Sequence, residues 1–230
     1  YKTIDCFYFQ SYPFPNEQWA LMVRRHLRIN PFFKIFDKVN RTIPGWEKHF
    51  ARLIPKGSGS RDVNGLFSRT KPHIRFTRKE NIRGSDFLKE LGLKPEDRFV
   101  CLIVRDSAYK EEYQKWGNRD WSYHNYRDSD IDSYEEAVLT LAGKGYWVFR
   151  MGKVVNKPFK ADHPIIIDYA NSKYRSNFLD IWLMANCHFT ISTASGLDSV
   201  PMIFRKPILV VNHLPIIDCR TGSEKNAELF

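Results

Sequence analysis

A turn rich in small hydroxyl residues spans residues 191–201, and its composition suits the binding of an anion. It reads Ile-Ser-Thr-Ala-Ser-Gly-Leu-Asp-Ser-Val-Pro and separates two short apolar runs, 188–191 and 208–211. If the turn opens a helix, its unpaired backbone N–H groups carry partial positive charge, and small side chains let a phosphate approach them. Because Ser and Thr also cap ordinary helices, a simple helix cap is the alternative. The residues predicted to contact a ligand here are Ser192, Thr193, Ser195 and Gly196.

Two arginines stand directly after apolar runs, and their placement favours the anion site. Arg105 follows the run 99–104, and Arg150 follows the run 146–149. Open α/β sheets bind ligands at the carboxyl ends of their strands, and the planar guanidinium group offers paired donors to phosphate oxygens. We therefore predict a diphosphate held by Arg105, Arg150 and the backbone N–H groups of residues 193–196. For each arginine, an ion pair within the protein is the alternative.

Gly152, Asp168 and Tyr169 complete the predicted ligand site. Gly152 follows Arg150 closely, and its lack of a side chain allows the backbone to approach a ligand. Asp168 and Tyr169 come after the apolar run 165–167. At this strand end Tyr169 would stack on a nucleotide base, and Asp168 would accept a hydrogen bond from the base or sugar. A loop aspartate is often only a turn or cap residue, so that alternative stays open.

The elements that would position these residues alternate between strands and helices from about residue 97. Apolar strands are predicted near 98–104, 146–150, 164–167, 188–191 and 207–211, with helices near 131–143, 176–186 and 196–204. Short, continuous apolar runs are typical of buried parallel strands. The alternation predicts an α/β fold with a Rossmann-like, doubly wound parallel sheet. The sequence holds neither G-x-G-x-x-G nor G-x-x-x-x-G-K-[ST], so it carries no standard dinucleotide fingerprint or Walker loop.

The chain divides into a basic, mainly helical part, residues 1–96, and the Rossmann-like domain, residues 97–230. Helices are predicted over 17–27 with Asn16 as the N-cap, over 31–40, and over 84–91 before Gly92. Residues 56–65 are predicted to form a loop. The net charge of the chain is +10; residues 1–98 contain 20 Lys/Arg and 10 Asp/Glu, whereas residues 99–230 contain 16 of each. The first part therefore carries the whole excess of positive charge.

This asymmetry predicts an anionic partner, and lipid head groups, a phosphate-bearing acceptor and nucleic acid are the candidates. A merely soluble basic surface is the alternative. Rings in the first part could stack on single strands, but most fall in apolar patterns typical of a core, so nucleic acid is not the expected partner. The rings concerned are Tyr8, Tyr12, Trp19, Phe32, Phe33 and Trp46.

Cysteine usage and the lack of long apolar runs predict a cytoplasmic protein. No run reaches the roughly 18 to 20 residues that cross a bilayer, and the chain does not open on a secretory signal pattern. Its cysteines, Cys6, Cys101, Cys187 and Cys219, are widely spaced and contain no C-x-x-C pair, which fits reduced thiols. With the basic first part, this predicts peripheral contact with an anionic membrane at its inner face.

Five segments occur in an order that carries a family resemblance. They are residues 105–109 (RDSAY), 126–134 (YRDSDIDSY), 145–152 (GYWVFRMG), 168–170 (DYA) and 192–197 (STASGL). In these segments the chain resembles a family of bacterial glycosyltransferases associated with surface-polysaccharide synthesis, and the likeness extends over roughly residues 12–215. The resemblance implies a GT-B enzyme, in which two Rossmann-like halves enclose the site. The C-terminal half, residues 97–230 here, would bind the nucleotide-sugar donor. The chains of that family are longer than this one.

The resemblance also implies a reaction. A hexosyl or related sugar would pass from a nucleotide sugar to a surface-polysaccharide or lipid-linked acceptor, with no metal and no cofactor. From the residues themselves we predict that Arg105 and Arg150 are catalytic and stabilise the departing diphosphate. Asp106 is a candidate for the base that accepts the proton of the acceptor hydroxyl. A non-catalytic nucleotide- or nucleic-acid-binding module is the alternative function.

Several other residues near Asp106 are open candidates for the proton acceptor. They are Tyr109, His124, Asp128, Asp130 and Asp132, and Arg127 beside them could contact donor or acceptor. The spacing D-x-D-x-D over 128–132 invites a metal interpretation. It lacks the glycine and the distant glutamate of a calcium loop, and a simple helix cap accounts for it. The sequence therefore predicts no metal site.

Overall fold

The computed structural model describes residues 4–10, 12–50, 65–114, 122–213 and 227–229. Residues 56–64 of the predicted loop 56–65, Cys219 and the side chain of His124 lie outside the described residues. The helices are α1 (Glu17–Arg24), α2 (Phe33–Asn40), α3 (Leu66–Arg69), α4 (Arg78–Glu90), α5 (Ala108–Gln114), α6 (Glu135–Gly143), α7 (Asn177–Asn186) and α8 (Ser199–Ile203). The strands are β1 (Arg98–Ile103), β2 (Tyr146–Met151), β3 (Ile166–Ile167), β4 (Phe189–Ser192), β5 (Ile208–Val210) and β6 (Ala227–Leu229).

The strands form one parallel sheet in the order β3-β2-β1-β4-β5-β6. The chain first runs outward from β1 to β3 and then returns to the other side of β1 with β4. The order therefore reverses between β1 and β4, and at such a switch point the loops after the two strands diverge and leave a crevice. The prediction of an α/β fold with a Rossmann-like parallel sheet is confirmed.

Each face of the sheet carries its own apolar core because successive strand side chains point to opposite faces. On one face Cys101, Ile103, Phe149 and Met151 pack with residues of α1, α4 and α7. On the other face Val100, Leu102, Val104 and Val148 pack with Val138 of α6 and with Ile131 and Tyr134 of the preceding 3₁₀ turn. The strands are apolar at most positions because both faces are covered.

The basic first part packs against the sheet through α1 and α4. The N-cap of α1 is the predicted Asn16, whose Oδ1 accepts the N–H of Trp19 at 3.0 Å. Helix α4 begins at Arg78, six residues before the predicted start at residue 84. The reason is a capping box in which Thr77 and Glu80 exchange hydrogen bonds, a Thr-x-x-Glu spacing that is visible in the sequence. The helix then packs closely on α7, where a Cβ added to Gly84 would lie 2.1 Å from the Trp182 ring.

Glu80 also joins α4 to α1. Its carboxylate accepts two hydrogen bonds from Arg25, at 2.8 Å each, and one from Gln18 Nε2 at 2.7 Å. The Arg25 guanidinium is the main cause that lowers the pKa of Glu80 to about 2. Because this pKa lies below that of an unfolded glutamate, the carboxylate stabilises the fold above about pH 4.5, and the stabilisation is lost as the pH falls toward 2.

We expect Glu80→Gln to lower the free energy of unfolding by about 2 kcal/mol at pH 7 and by much less near pH 2. Urea unfolding across this pH range measures the difference, and Glu90→Gln, at the exposed end of the same helix, is the matched control. A loss that stays equal at every pH would show that the charge of Glu80 is not what stabilises the contact between α1 and α4.

Candidate functional site

The hydroxyl-rich turn after β4 is held together by Asp198. The Ser192 hydroxyl donates to Asp198 Oδ1 at 2.6 Å, and the Ser195 N–H donates to Asp198 Oδ2 at 2.8 Å. The Ala194 N–H donates to Ser192 Oγ at 3.1 Å, while Ala194 itself takes a left-handed φ of 67°. A carboxylate therefore occupies the N-terminus of the short 3₁₀ turn Gly196–Asp198, which is the place where an anion would bind.

The predicted cradle of backbone N–H groups over 193–196 is thereby corrected. The N–H groups of Thr193, Ala194 and Ser195 have acceptors within the protein, since that of Thr193 donates to Ile103 O at 3.1 Å. The side chains of Ser192 and Thr193 are buried, so they are not surfaces for a ligand. Ser195 and Gly196 remain accessible at the turn, and their ligand contact stays a prediction.

Arg150 lies inside the protein rather than on the ligand edge of the sheet. It pairs in register with Leu102 of β1, and 1% of it is exposed. Its Nη1 donates to Asp168 Oδ1 at 3.2 Å, and its Nη2 donates to the Lys157 carbonyl at 3.4 Å. The prediction that Arg150 contacts a diphosphate is therefore corrected, because the guanidinium is enclosed and its partners belong to the protein.

Asp168 acts with Arg150 to hold the loop between β2 and β3. Its Oδ2 accepts the N–H of Phe159 at 2.9 Å and the Nδ2 of Asn171 at 2.7 Å. Both oxygens are thus engaged inside the protein, and the contact of Asp168 with a base or sugar stays a prediction. Gly152 likewise meets the protein itself, since an added Cβ would lie 2.5 Å from Val155 Cγ1. The close backbone approach predicted for Gly152 is toward Val155, not toward a ligand.

Tyr169 is fully buried, which corrects its predicted stacking on a base. Its hydroxyl donates to Asp180 Oδ1 at 2.9 Å and accepts the Ser176 N–H at 3.0 Å. Arg175 Nη2 donates to the other oxygen of Asp180 at 2.7 Å. Burial raises the pKa of Tyr169 and of Asp180, so the ring is a neutral core residue at the start of α7. Arg175 is thus the charged partner of the buried Asp180.

Asp106 connects the end of β1 to two neighbouring segments. Its Oδ1 accepts the Ala108 N–H at 3.1 Å, at the start of α5, and its Oδ2 accepts the Asn156 N–H at 2.9 Å. Its role as a proton acceptor stays a prediction. Asp130 and Asp132 both pair with Lys157, at 2.6 and 2.7 Å, and Asp130 caps the following 3₁₀ turn as expected. Among the described residues, no group of three or more His, Cys, Asp or Glu side chains is arranged to hold a metal ion.

Arg105 has a different environment from Arg150, because it lies beyond the end of β1 at the switch point. Its N–H donates to the Thr193 hydroxyl at 2.8 Å, and its carbonyl accepts the Ser129 N–H at 2.9 Å. The backbone of Arg105 is thus fixed between the loop after β4 and the segment that leads into α6. The Thr193 hydroxyl, predicted to contact a ligand, instead fixes the backbone of Arg105.

Arg105 and Lys110 pair with the carboxylate of Asp128, and the charge of Arg127 acts on both cations. We call Arg105, Lys110, Arg127 and Asp128 the cationic cluster. Arg105 Nε and Lys110 Nζ lie 3.3 and 3.7 Å from Asp128 Oδ1. Burial and then the charge of Arg127 lower the pKa of Arg105, and burial and then the charge of Arg105 lower the pKa of Lys110. Within the described part of the chain, Arg127 Nε is buried and has no acceptor.

The cluster therefore holds an excess of positive charge that Asp128 does not neutralise. The side chains of Arg105, Lys110 and Asp128 are 16%, 14% and 19% exposed, so water screens their charges only in part. Mutual repulsion among cations is relieved when an anion enters. The sequence pointed to Arg105 and named Arg127, but Lys110 was missed because a lysine within a short helix is usually a solvated residue. Asp198 was missed although the spacing Ser-x-x-Asp over 195–198 is a cap signal.

The chain was compared with family models, curated proteins and solved structures. No family model matches it, and no curated protein matches it significantly. Among solved structures, it is similar to the ADP-heptose lipopolysaccharide heptosyltransferase II of E. coli, with 13% identity and a TM-score of 0.40. The match covers 69% of this chain and 45% of that enzyme, so the chain spans less than half of its length. The fold class rests on the parallel sheet itself.

Proposed function

We propose that this chain is a glycosyltransferase of surface-polysaccharide synthesis. It would bind the nucleotide-sugar donor at the cationic cluster. The observation that carries the proposal is the excess of partly buried cations at the switch point between β1 and β4. Phosphate groups are the anions that arginine and lysine bind at such sites. The ordered segments that resemble bacterial glycosyltransferases point to a sugar as the group carried by the diphosphate.

The chemistry required of the cluster is charge neutralisation. In glycosyl transfer the bond between the anomeric carbon and the diphosphate oxygen breaks, and its electron pair stays on the departing diphosphate. The acceptor oxygen bonds to the anomeric carbon and loses its proton to a base, for which Asp106 remains the candidate. Arg105 and Lys110 would stabilise the growing negative charge, a task that needs no metal ion. Arg150 and Asp168 would act at a distance by fixing the loop that borders the site.

The acceptor is proposed to be a glycan or a lipid-linked glycan. The opposite wall of the site would come from another Rossmann-like half, as in the GT-B arrangement. A non-catalytic nucleotide-binding module would use the same cluster and differ only in turnover. Binding and transfer must therefore be measured separately.

Isothermal titration calorimetry with UDP, GDP, CDP and ADP tests the proposal on the binding side. We expect at least one diphosphate to bind with a micromolar dissociation constant and its parent nucleoside to bind far more weakly, because the cluster recognises phosphate. Release of the diphosphate from a panel of nucleotide sugars, with the full polypeptide, then tests transfer. Failure of every diphosphate to bind would exclude the proposal, whereas binding without turnover would favour the non-catalytic alternative.

A further inference from the structure

Helix α2 exposes an apolar face. Its exposed apolar side chains are spaced i, i+3, i+4 and i+7, and one more lies just beyond the helix. They are Phe32 (67% exposed), Ile35 (57%), Phe36 (66%), Val39 (56%) and Ile43 (51%). We call these five residues the α2 face. Phe32 and the other aromatic residues of the first part were predicted to be mostly core, and for Phe32 and Tyr12 this was wrong. A continuous apolar patch of this kind marks an interaction surface.

Polar contacts determine which way α2 faces. An amphipathic helix normally turns its apolar face to the core. Here Asp37 is on the protein side, where it accepts a hydrogen bond from the Tyr8 hydroxyl at 2.6 Å and pairs with Arg41 at 3.0 Å. The apolar face is thereby directed outward. This arrangement leaves the face available to a partner.

The segment around the α2 face is strongly basic. Residues 24–48 contain seven Lys/Arg and two acidic residues, Asp37 and Glu47. Arg41 pairs with Asp37, so this carboxylate does not offset the other cations of the segment. Arg25 is paired with Glu80 of α4. Lys34 and Lys38 lie on α2 itself, and both are exposed. The partner of the α2 face must therefore combine an apolar interior with negative charge.

We propose that the α2 face inserts into an anionic phospholipid bilayer at the level of the head groups. Apolar side chains on one side of a helix with lysine and arginine beside them are the pattern of interfacial helices, which bury the apolar face and attract anionic lipids. Nucleic acid fits less well, because Ile35, Val39 and Ile43 cannot stack on bases. A second copy of the chain fits less well too, because a symmetric contact would bring the same cations together.

The proposal concerns binding along the membrane surface. Among the described residues, no helix has the length and apolar character needed to cross a bilayer. The proposal of membrane binding is based on α2 and its surroundings, and it does not depend on which ligand the cationic cluster binds. An anchored enzyme would meet a lipid-linked acceptor at the membrane plane.

Vesicle co-sedimentation tests the proposal, with phosphatidylcholine vesicles and vesicles that also contain phosphatidylglycerol. The wild-type chain is expected to sediment with the anionic vesicles and to stay in solution with the neutral ones. F32S/F36S should lower binding by at least about tenfold, because less apolar area is buried. The matched control, I82S/L139S, replaces two exposed apolar residues on α4 and α6 and should bind as the wild type does.

A second set of variants tests the attraction between the lysines of α2 and anionic lipid. K34Q/K38Q should weaken binding to anionic vesicles by about tenfold or more, since each cation near the surface attracts anionic lipid. Lys144→Gln, at the C-cap of α6, should not change it. All of these side chains are exposed, so unfolding temperatures should match that of the wild type. Absence of vesicle binding would overturn the proposal, and so would unaltered binding by F32S/F36S. A dimer that F32S/F36S dissociates, without vesicle binding, would assign the α2 face to a second copy instead.

Discussion

Replacing Asp168 with alanine is expected to lower the free energy of unfolding by about 3–5 kcal/mol, because it leaves the charge of Arg150 buried without its carboxylate partner. Only 1% of Arg150 is exposed, and its Nη1 lies 3.2 Å from Asp168 Oδ1. The same change removes the acceptor of the Phe159 N–H, so the loop between β2 and β3 loses its attachment. Urea unfolding monitored by circular dichroism measures the loss.

A double variant separates the ion pair from the rest of the contact. R150M/D168A removes both charges and fills the space of the arginine with an apolar chain, so it should recover much of the loss seen in Asp168→Ala. Asp86→Ala is the control, because its pair with Lys89 is exposed on both sides and should change stability by no more than about 0.5 kcal/mol. If Asp168→Ala cost no more than Asp86→Ala, the pair would not be what holds β2 and β3 at their ends.

The strand pattern could be predicted because most residues of the strands are apolar. The expected strand near 98–104 corresponds to β1 (Arg98–Ile103), and the strand near 146–150 to β2 (Tyr146–Met151). A strand that is buried on both faces can be predicted from its own apolar residues, without knowledge of the strands beside it. The order of strands in the sheet is different, since it depends on contacts between residues far apart in the chain. The reversal of the strand order between β1 and β4 was therefore found only in the structure.

The two strand-end arginines look alike in the sequence and lie in opposite environments. Both follow an apolar run, but β2 continues to Met151, so Arg150 is still inside the strand, whereas Arg105 lies two residues beyond the end of β1. Strand ends are uncertain by a few residues in any sequence-based prediction, and one residue changes the face of the sheet that a side chain meets. Burial of Arg150 also needed Asp168 from a neighbouring strand end, which no local pattern indicates.

The hydroxyl-rich turn shows how one acidic residue can reverse the meaning of a pattern. Small residues at a strand end were correctly associated with unpaired N–H groups at the start of a helical turn. Asp198, three residues after Ser195, takes those groups as a cap. Since a carboxylate in that place repels a phosphate, the positive charge for an anion must come from elsewhere. In the proposed site it would come from side chains after β1 and before α6.

Removal of Arg105 is expected to weaken the binding of a nucleoside diphosphate by about 10- to 100-fold, the loss that follows from one charge-assisted hydrogen bond. Arg127→Ala should have an effect of similar size, because its charge acts on Arg105 within the cluster. Calorimetry at several salt concentrations measures both, and the salt dependence should become weaker with each charge removed. Lys157→Ala, an exposed cation that pairs with Asp130 and Asp132, is the control and should change affinity by less than about threefold.

Asp128 distinguishes an anion site from an ordinary network of ion pairs, because the two predict opposite effects of Asp128→Asn. If the cluster binds a diphosphate, loss of the competing carboxylate adds one net positive charge, and the diphosphate should bind severalfold more tightly. The asparagine keeps an oxygen acceptor for Arg105, which limits any displacement of the guanidinium. If the cluster only stabilises the fold, Asp128→Asn should destabilise the protein, and neither it nor Arg105→Ala should alter nucleotide affinity. Tighter binding to Asp128→Asn together with weaker binding to Arg105→Ala is the result expected from the charge balance at the switch point.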